Sequence, residues 1–523
     1  MKRMVAWSAV AAVSMVLFAR AAQAAGGGVE VSPAVHHDVS RPLRDVPSAP
    51  SAHRLTERPL LPLPTPPASA TPDTVVQTSA PSPLAATVGL SFAGVGDGDY
   101  GFTPNAAPPD TNGAVGATQY VQWVNESFAV FDKKTGALVM GPTTGSTLWA
   151  GFGGGCETNN DGDPIVQYDK LAGRWVFTQL SASTTPFLEC VAVSTTSDAT
   201  GAYNRYAFSY GNGLNDYPKL GVWPDAYYIT FNIFTNGQTF AGAKACAYDR
   251  SAMLNGLPAT QQCFQLSTAF PSLLPSDLDG TIAPPAGAPN AFANFGTSSL
   301  NIWTFHVDWA DPPSSTFTGP TNLPVAAFTP ACGGGTCIPQ SGTRQQLDSL
   351  ADRLMYRLAY RTFADGHEAW VVNHSVATTF ARNRASGSGI RWYELRNLAT
   401  APSVFQQGTY APDATFRWMG SIAMDKVGNI AVGYSASSGS IHPAIRYAVR
   451  TPSDPLGTLE AEASMIEGGG SQLRNLSRWG DYSAISVDPV DDCTFYYTSE
   501  YLKANGTFNW STRIASFKLP NCL

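Results

Sequence analysis

The chain has 523 residues and a formal net charge of −7, with only 14% of residues charged and no basic block. That balance argues against a nucleic-acid partner, whose phosphates call for clustered Lys and Arg. Plentiful Gly (48) and Pro (39), with 11% aromatics, favour short strands and tight turns over helices, so an all-β fold is expected.

The chain opens with Met1-Lys2-Arg3, an apolar run from Val5 to Ala19 and then Ala22-Gln23-Ala24, the order of a secretory signal peptide cleaved after Ala24. The run is too short to span a bilayer comfortably, and no later stretch reaches about 18 uninterrupted apolar residues. A secreted protein, extracellular or periplasmic and without a membrane span, is expected. Residues 25–86 are rich in Pro, Ala, Ser and Thr, as in Leu60-Leu-Pro-Leu-Pro-Thr-Pro-Pro67. Such a composition buries too little apolar surface to offset its ordering entropy, so the segment reads as a disordered or polyproline-like linker. The folded domain is then 87–523.

Within that domain one unit recurs: a polar entry, an alternating strand, a turn of Gly, Asp, Asn or Pro, and a second apolar strand ending in a polar residue. Arg417-Trp-Met-Gly-Ser-Ile-Ala-Met-Asp425 turns into Ile430-Ala-Val-Gly-Tyr-Ser435, and Arg478-Trp-Gly-Asp-Tyr-Ser-Ala-Ile-Ser-Val-Asp488 into Cys493-Thr-Phe-Tyr-Tyr-Thr498. A third copy starts at Arg353. Its leading stretch from Leu350 has the look of a short helix, but Tyr356, Tyr360 and Phe363 favour a strand. Looser copies begin at Asp110, Asp163 and Tyr217, and a degenerate one near Asp279. Entries roughly 50 to 75 residues apart suit blades of four antiparallel strands. The expectation is a seven-bladed β-propeller, with six or eight blades also compatible with the count.

Eight cysteines behind an export signal point to disulfides, and sequential pairing as 156–190, 246–263, 332–337 and 493–522 would staple local hairpins.

In a propeller the entry of each innermost strand and the exit of the next share one face. That face should gather Asp110 with Asn125, Asp163 with Ser181, Asp216 and Tyr217 with Asn232, Arg353 with His374, Arg417 with Ser435, and Arg478 and Asp481 with Glu500. The turn residues Asp225, Asp365, Asp425 and Asp488 belong on the opposite face. Arg353, Arg417 and Arg478 carry forked donors that match a carboxylate, so an acidic ligand such as a uronic or sialic-type sugar is one reading. Pairing with neighbouring aspartates is the structural one. Asp481, Tyr482, His374 and Glu500 are the acid–base candidates. Trp418, Trp479 and Tyr217 suit either sugar stacking or wedging between blades. Asn159-Asn-Asp-Gly-Asp163 has the oxygen-rich composition of a calcium loop, with Asp161 and Asp163 as ligands, and equally that of an Asx-rich turn.

On Pro109-Asp-Thr-Asn-Gly-Ala-Val-Gly116 and the units from Arg417 and Arg478, the chain resembles a family of secreted, largely uncharacterised bacterial propeller proteins across roughly residues 90–523. It is more loosely similar to the sialidase superfamily, whose fold hosts an arginine cluster, a Tyr/Glu pair and an Asp. The Ser-x-Asp-x-Gly-x-Thr-Trp box of sialidases is absent here. The combined expectation is a monomeric glycan-active hydrolase or lyase for an acidic polysaccharide or glycoconjugate. The alternative is a non-catalytic propeller that binds glycan or protein at the cell surface.

Overall fold

The computed structural model describes residues 28–49, 55–57, 60–64, 69, 71–380 and 385–523; the expected signal peptide at 1–24 lies outside them. Among the described residues the main strands form seven antiparallel four-stranded blades. Their innermost strands are Asn112–Val115, Ile165–Asp169, Gly213–Val222, Leu274–Leu278, Met355–Thr362, Phe416–Met424 and Ala484–Val487, numbered here as blades 1 to 7. Each touches the next in that order, and Ala484–Val487 touches Asn112–Val115, so the ring is closed. Blades 4 and 5 are further joined by parallel pairing of their inner strands, Ser276 opposite Leu358 and Leu278 opposite Tyr360.

Alternation of side chains along each strand packs the blades together. In blade 6, Ile422, Val432 and Ala448 face blade 5 and meet Ile390, Trp392 and Tyr410. Their chain neighbours Ala423, Ala431 and Val449 face blade 7 and meet Val487, Phe495 and Phe517. Strands buried on both faces therefore read as near-continuous apolar runs. The last such interface, where Val115, Tyr120 and Phe131 of blade 1 pack with Tyr496 and Ile514 of blade 7, closes the wheel.

The same closure is made covalently continuous by chain order. Blade 7 takes its inner three strands from residues 484–518 and its outer one from Thr87–Ala93, paired antiparallel with Trp510–Lys518. The chain preceding this strand contributes further. Glu30–Pro33 adds an outer fifth strand to blade 3, His36–Val39 adds one to blade 2, and Val76–Gln77 pairs with the outer strand of blade 5. The described parts of the stretch read as a linker thus pair with the propeller. Edge addition satisfies backbone donors and acceptors and needs no apolar alternation, which is why the composition gave no sign of it.

The strand expected after Arg353 is present as Met355–Thr362, and the short helix is not formed there. Blade 4 enters at Ser272, one residue before its first apolar pair, whereas Asp279 follows the inner strand at its far end. The four expected disulfides are all formed. Cys246–Cys263 bridges directly opposed residues of blade 3, and Cys493–Cys522 ties the hairpin of blade 7 to the C-terminal tail. No described helix is long and apolar enough to cross a membrane.

Candidate functional site

At the entry end of the inner strands lies a cavity of about 290 Å³ lined by Asp110, Asp161, Asp163, Asp216, Tyr217, Arg353, Arg478 and Asp481. Blades 1, 2, 3, 5 and 7 all contribute. Entry residues there share an unusual backbone: Asp110 (φ 46°), Asp163 (φ 49°), Tyr217 (φ 57°) and Asp481 (φ 66°) are all left-handed. Asp tolerates that region, whereas an aromatic residue there is strained and persists because its surroundings fix it. In blade 3 the strand pairing slips between Asp216 and Lys219, a bulge that re-aims the side chains at the rim.

Second-strand exits brace these entries. Asn125 donates to the Pro108 carbonyl (2.8 Å), Asn232 accepts from the Ser272 amide of the next blade (2.8 Å), and Glu500 accepts from the Gly480 amide (2.7 Å). The hairpin turns at the opposite end carry Asp365, Asp425 and Asp488, each accepting a backbone N–H two residues on.

Carboxylate oxygens of Asp110, Asp163 and Asp481, from blades 1, 2 and 7, lie within 4.8 Å of one another. Burial and the neighbouring Asp481 and Asp163 push the Asp110 carboxyl well above its usual range. Burial, Asp163 and Asp481 likewise raise half-buried Asp216 to about 7, against the pull of Arg353 and Arg478. Arg478 is bonded to Asp481. Arg353 clasps its chain neighbour Asp352 through Nε (2.7 Å) and Nη2 (3.1 Å), and its guanidinium stands 4.4 Å from the centre of the Tyr217 ring.

Beneath this layer is Lys219, a residue the sequence reading passed over. It is fully buried, with Nζ 3.4 Å from the centre of the Tyr217 ring, 4.0 Å from that of Tyr482 and 2.7 Å from the Pro218 carbonyl. Desolvation lowers it to about 8, although Asp163, Asp481 and Asp110 oppose the shift. Its signal was present as a single lysine in the otherwise apolar run Tyr217-Pro-Lys-Leu-Gly-Val222. The bulge that turns it toward the axis was not.

The remaining expected site residues lie outside the cavity lining, except Asp161, which lines it with its oxygens already engaged. Tyr482 is buried under the cavity, its hydroxyl donating to the Pro164 carbonyl (2.9 Å). Arg417 points away from the rim cavity, held by Glu462 (2.8 Å) and Asp413 (3.0 Å). Trp418 and Trp479 are fully buried with ring centres 6.0 Å apart, and Trp479 donates to Ser435 of blade 6. They wedge blades 6 and 7. His374 is enclosed by Phe295, Phe328 and Tyr393, with Nε2 2.9 Å from the Tyr393 hydroxyl, and burial lowers its pKa well below the usual value. Glu500 is fully buried and raised by desolvation, braced behind Gly480 and not in the cavity lining. Asp161 spends its oxygens on the Ala182 amide (2.6 Å), the Ser183 amide (2.7 Å) and the Ser183 hydroxyl, as an Asx-rich turn does.

A second cavity of about 250 Å³ adjoins the first at Arg353 and is lined by Ser272, Asn294, Asn301 and Asp352. Leu60 and Leu61 wall the first cavity and Pro64 the second.

No protein-family model matches the chain, and no curated protein matches it. Among solved structures, it is similar to the α-L-arabinofuranosidase Arb93A from Fusarium graminearum, at 9% identity and TM-score 0.37, over 83% of this chain and 99% of that one. It is also similar to a polysaccharide lyase of the PL25 family, an ulvan lyase, at 11% identity and TM-score 0.35, over 80% and 97%. A third is the WD40 domain of SCAP from fission yeast, at 10% identity and TM-score 0.31, over 77% and 82%. At this overlap nothing about activity carries over, and the propeller assignment rests on the closed order of its strands.

Proposed function

We propose that the protein is an exported, monomeric, glycan-cleaving propeller that works on an acidic polysaccharide at the rim cavity. Asp216 is the proton-transferring group, and Arg353 and Arg478 face the sugar carboxylate. One observation carries the reading: two adjoining cavities meet at Arg353, and one of them brings Asp216, Arg353 and Arg478 together. A paired groove suits several sugar units of a polymer, and a few convergent charged groups in such a cleft fix a polar ligand's orientation.

Burial is the first cause that raises the Asp216 carboxyl above its usual range, so at the rim it can hold a proton and give or take it. In hydrolysis it would protonate the departing glycosidic oxygen while water attacks the anomeric carbon and gives up its proton to solvent. In β-elimination, a base takes the proton beside the uronate carboxylate, the glycosidic oxygen leaves with a proton, and a carbon–carbon double bond remains. The arginines favour the second course, because neutralising the carboxylate acidifies that proton. Lys219 touches no substrate in this scheme; it is the buried cation that balances the aspartates from below.

The test is product release from uronate-containing, sulfated and neutral polysaccharides, read by mass spectrometry and by ultraviolet absorbance of the unsaturated product. Turnover by the wild type that falls about 10²-fold or more in Asp216→Asn supports the proposal. No product from any substrate refutes it. Saturable glycan binding without product would leave the non-catalytic propeller as the surviving account.

A further inference from the structure

We infer that Asp110, Asp163 and Asp481 form a calcium site in the rim cavity. Each sits at the entry of an inner strand, on three successive blades around the ring, and each holds a left-handed backbone that turns its side chain onto the rim. Calcium binds six to eight oxygens at about 2.3–2.6 Å, so oxygens on opposite sides of one ion lie about 4.6–5.2 Å apart. Three carboxylate oxygens within 4.8 Å of one another therefore fit a single coordination shell. With oxygen donors alone and neither His nor Cys among them, the group selects a hard cation.

A second observation points to the ion. Asp110 is 1% exposed, yet its Oδ1 has no hydrogen-bond partner. A second buried oxygen, Asn125 Oδ1 at the exit of the same blade, also lacks one. Asn125 Oδ1 lies against Gly162, which precedes Asp163: a Cβ on that glycine would stand 2.0 Å from it. Buried oxygens without donors are strongly disfavoured unless a cation takes them; Asp110 and Asn125 stand at the entry and exit of blade 1, and Asn125 Oδ1 abuts the glycine that leads into Asp163 of blade 2.

The site differs from the loop 159–163 that composition alone suggested. Asp161 is consumed by the loop 182–183, and Asp163 is shared with entries far away in sequence. Even with Lys219 below, five aspartates stand against three cations here; an ion would offset that excess, which an acidic sugar would otherwise meet, and that consequence alone rests on the glycan reading.

The experiment uses the full mature chain, freed of metal with chelator, and titrates calcium alone by calorimetry and by thermal unfolding, with no glycan present. One calcium per chain and a higher Tm with calcium are expected. Asp110→Asn and Asp163→Asn, each folded by circular dichroism, should bind at least about tenfold more weakly and lose the Tm response. The half-buried position of Asp163 makes its variant the safer one to fold. No binding by the folded wild type at millimolar calcium overturns the inference, as does binding that neither variant weakens. Calcium binding without glycan turnover would leave this site standing while the proposed activity falls.

Discussion

His374 and Asp216 illustrate how burial and neighbouring charges sort titratable side chains into structural and chemical uses. His374 lies in an aromatic enclosure that disfavours the imidazolium, so its folded pKa is depressed below the unfolded value near 6.5. Below that pH the unfolded chain binds a proton that the folded one refuses, and stability falls as pH drops. The loss should run at about 1.4 kcal/mol per pH unit until the folded pKa is reached. Urea unfolding at about pH 7 and pH 5.5 should show this acid loss reduced by that slope in His374→Asn, with glycan turnover intact; an identical pH dependence would refute the assignment. Gly162 belongs to the same class of local constraint, since its φ of 91° and its contact with Asn125 both exclude a side chain. Gly162→Ala should cost about 1–3 kcal/mol or more in urea unfolding.

Strands carry the next level of the argument. The inner hairpins were legible because an alternating run, an Asp-bearing turn and a second run recur with visible spacing, as from Arg417 to Ser435. The rim gathering of Asp110, Asp163, Asp216, Tyr217, Arg353, Arg478 and Asp481 followed from that geometry. Arg417 escaped it because its fork is drawn outward to Glu462, beside the outer strand Ala463–Ile466, a partner that only tertiary pairing supplies. Trp418 and Trp479 stand next to entry arginines in sequence but turn into the blade 6–7 interface, which alternation along an irregular, bulged entry could not fix in advance. Edge strands were invisible for a different reason: they are held by backbone pairing and by isolated side chains. Gln77, for example, exchanges two bonds with the Leu459 backbone (2.7 and 2.8 Å), and Asp38 pairs with Arg205 (2.7 Å). Deleting residues through 40 should unpair the outer edges of blades 2 and 3 and raise aggregation in light scattering, with little change in the near-ultraviolet signature of the blade cores.

For the molecule as a whole, Thr87–Ala93 brings the N-terminal part of the chain into blade 7 as its outer strand, and its loss should loosen the blade 7–1 seam beside which the rim residues of blades 7, 1 and 2 sit. Two truncations separate this from any general effect of the N-terminal chain. A protein starting at residue 87 keeps the four-stranded blade 7, whereas one starting at residue 94 leaves three strands and Trp510–Lys518 as an open outer edge. The second should unfold at a distinctly lower temperature than the first and lose calcium response and turnover together. Equal Tm values would mean that closure depends on packing alone. The position of the sugar is open to direct observation in a crystal soaked with a uronate-containing oligosaccharide. Density for the sugar is predicted across Asp216, Arg353 and Arg478, with its carboxylate toward the guanidinium groups. Sugar bound solely at the opposite face or along the blade edges, with the rim cavity vacant, would contradict the account.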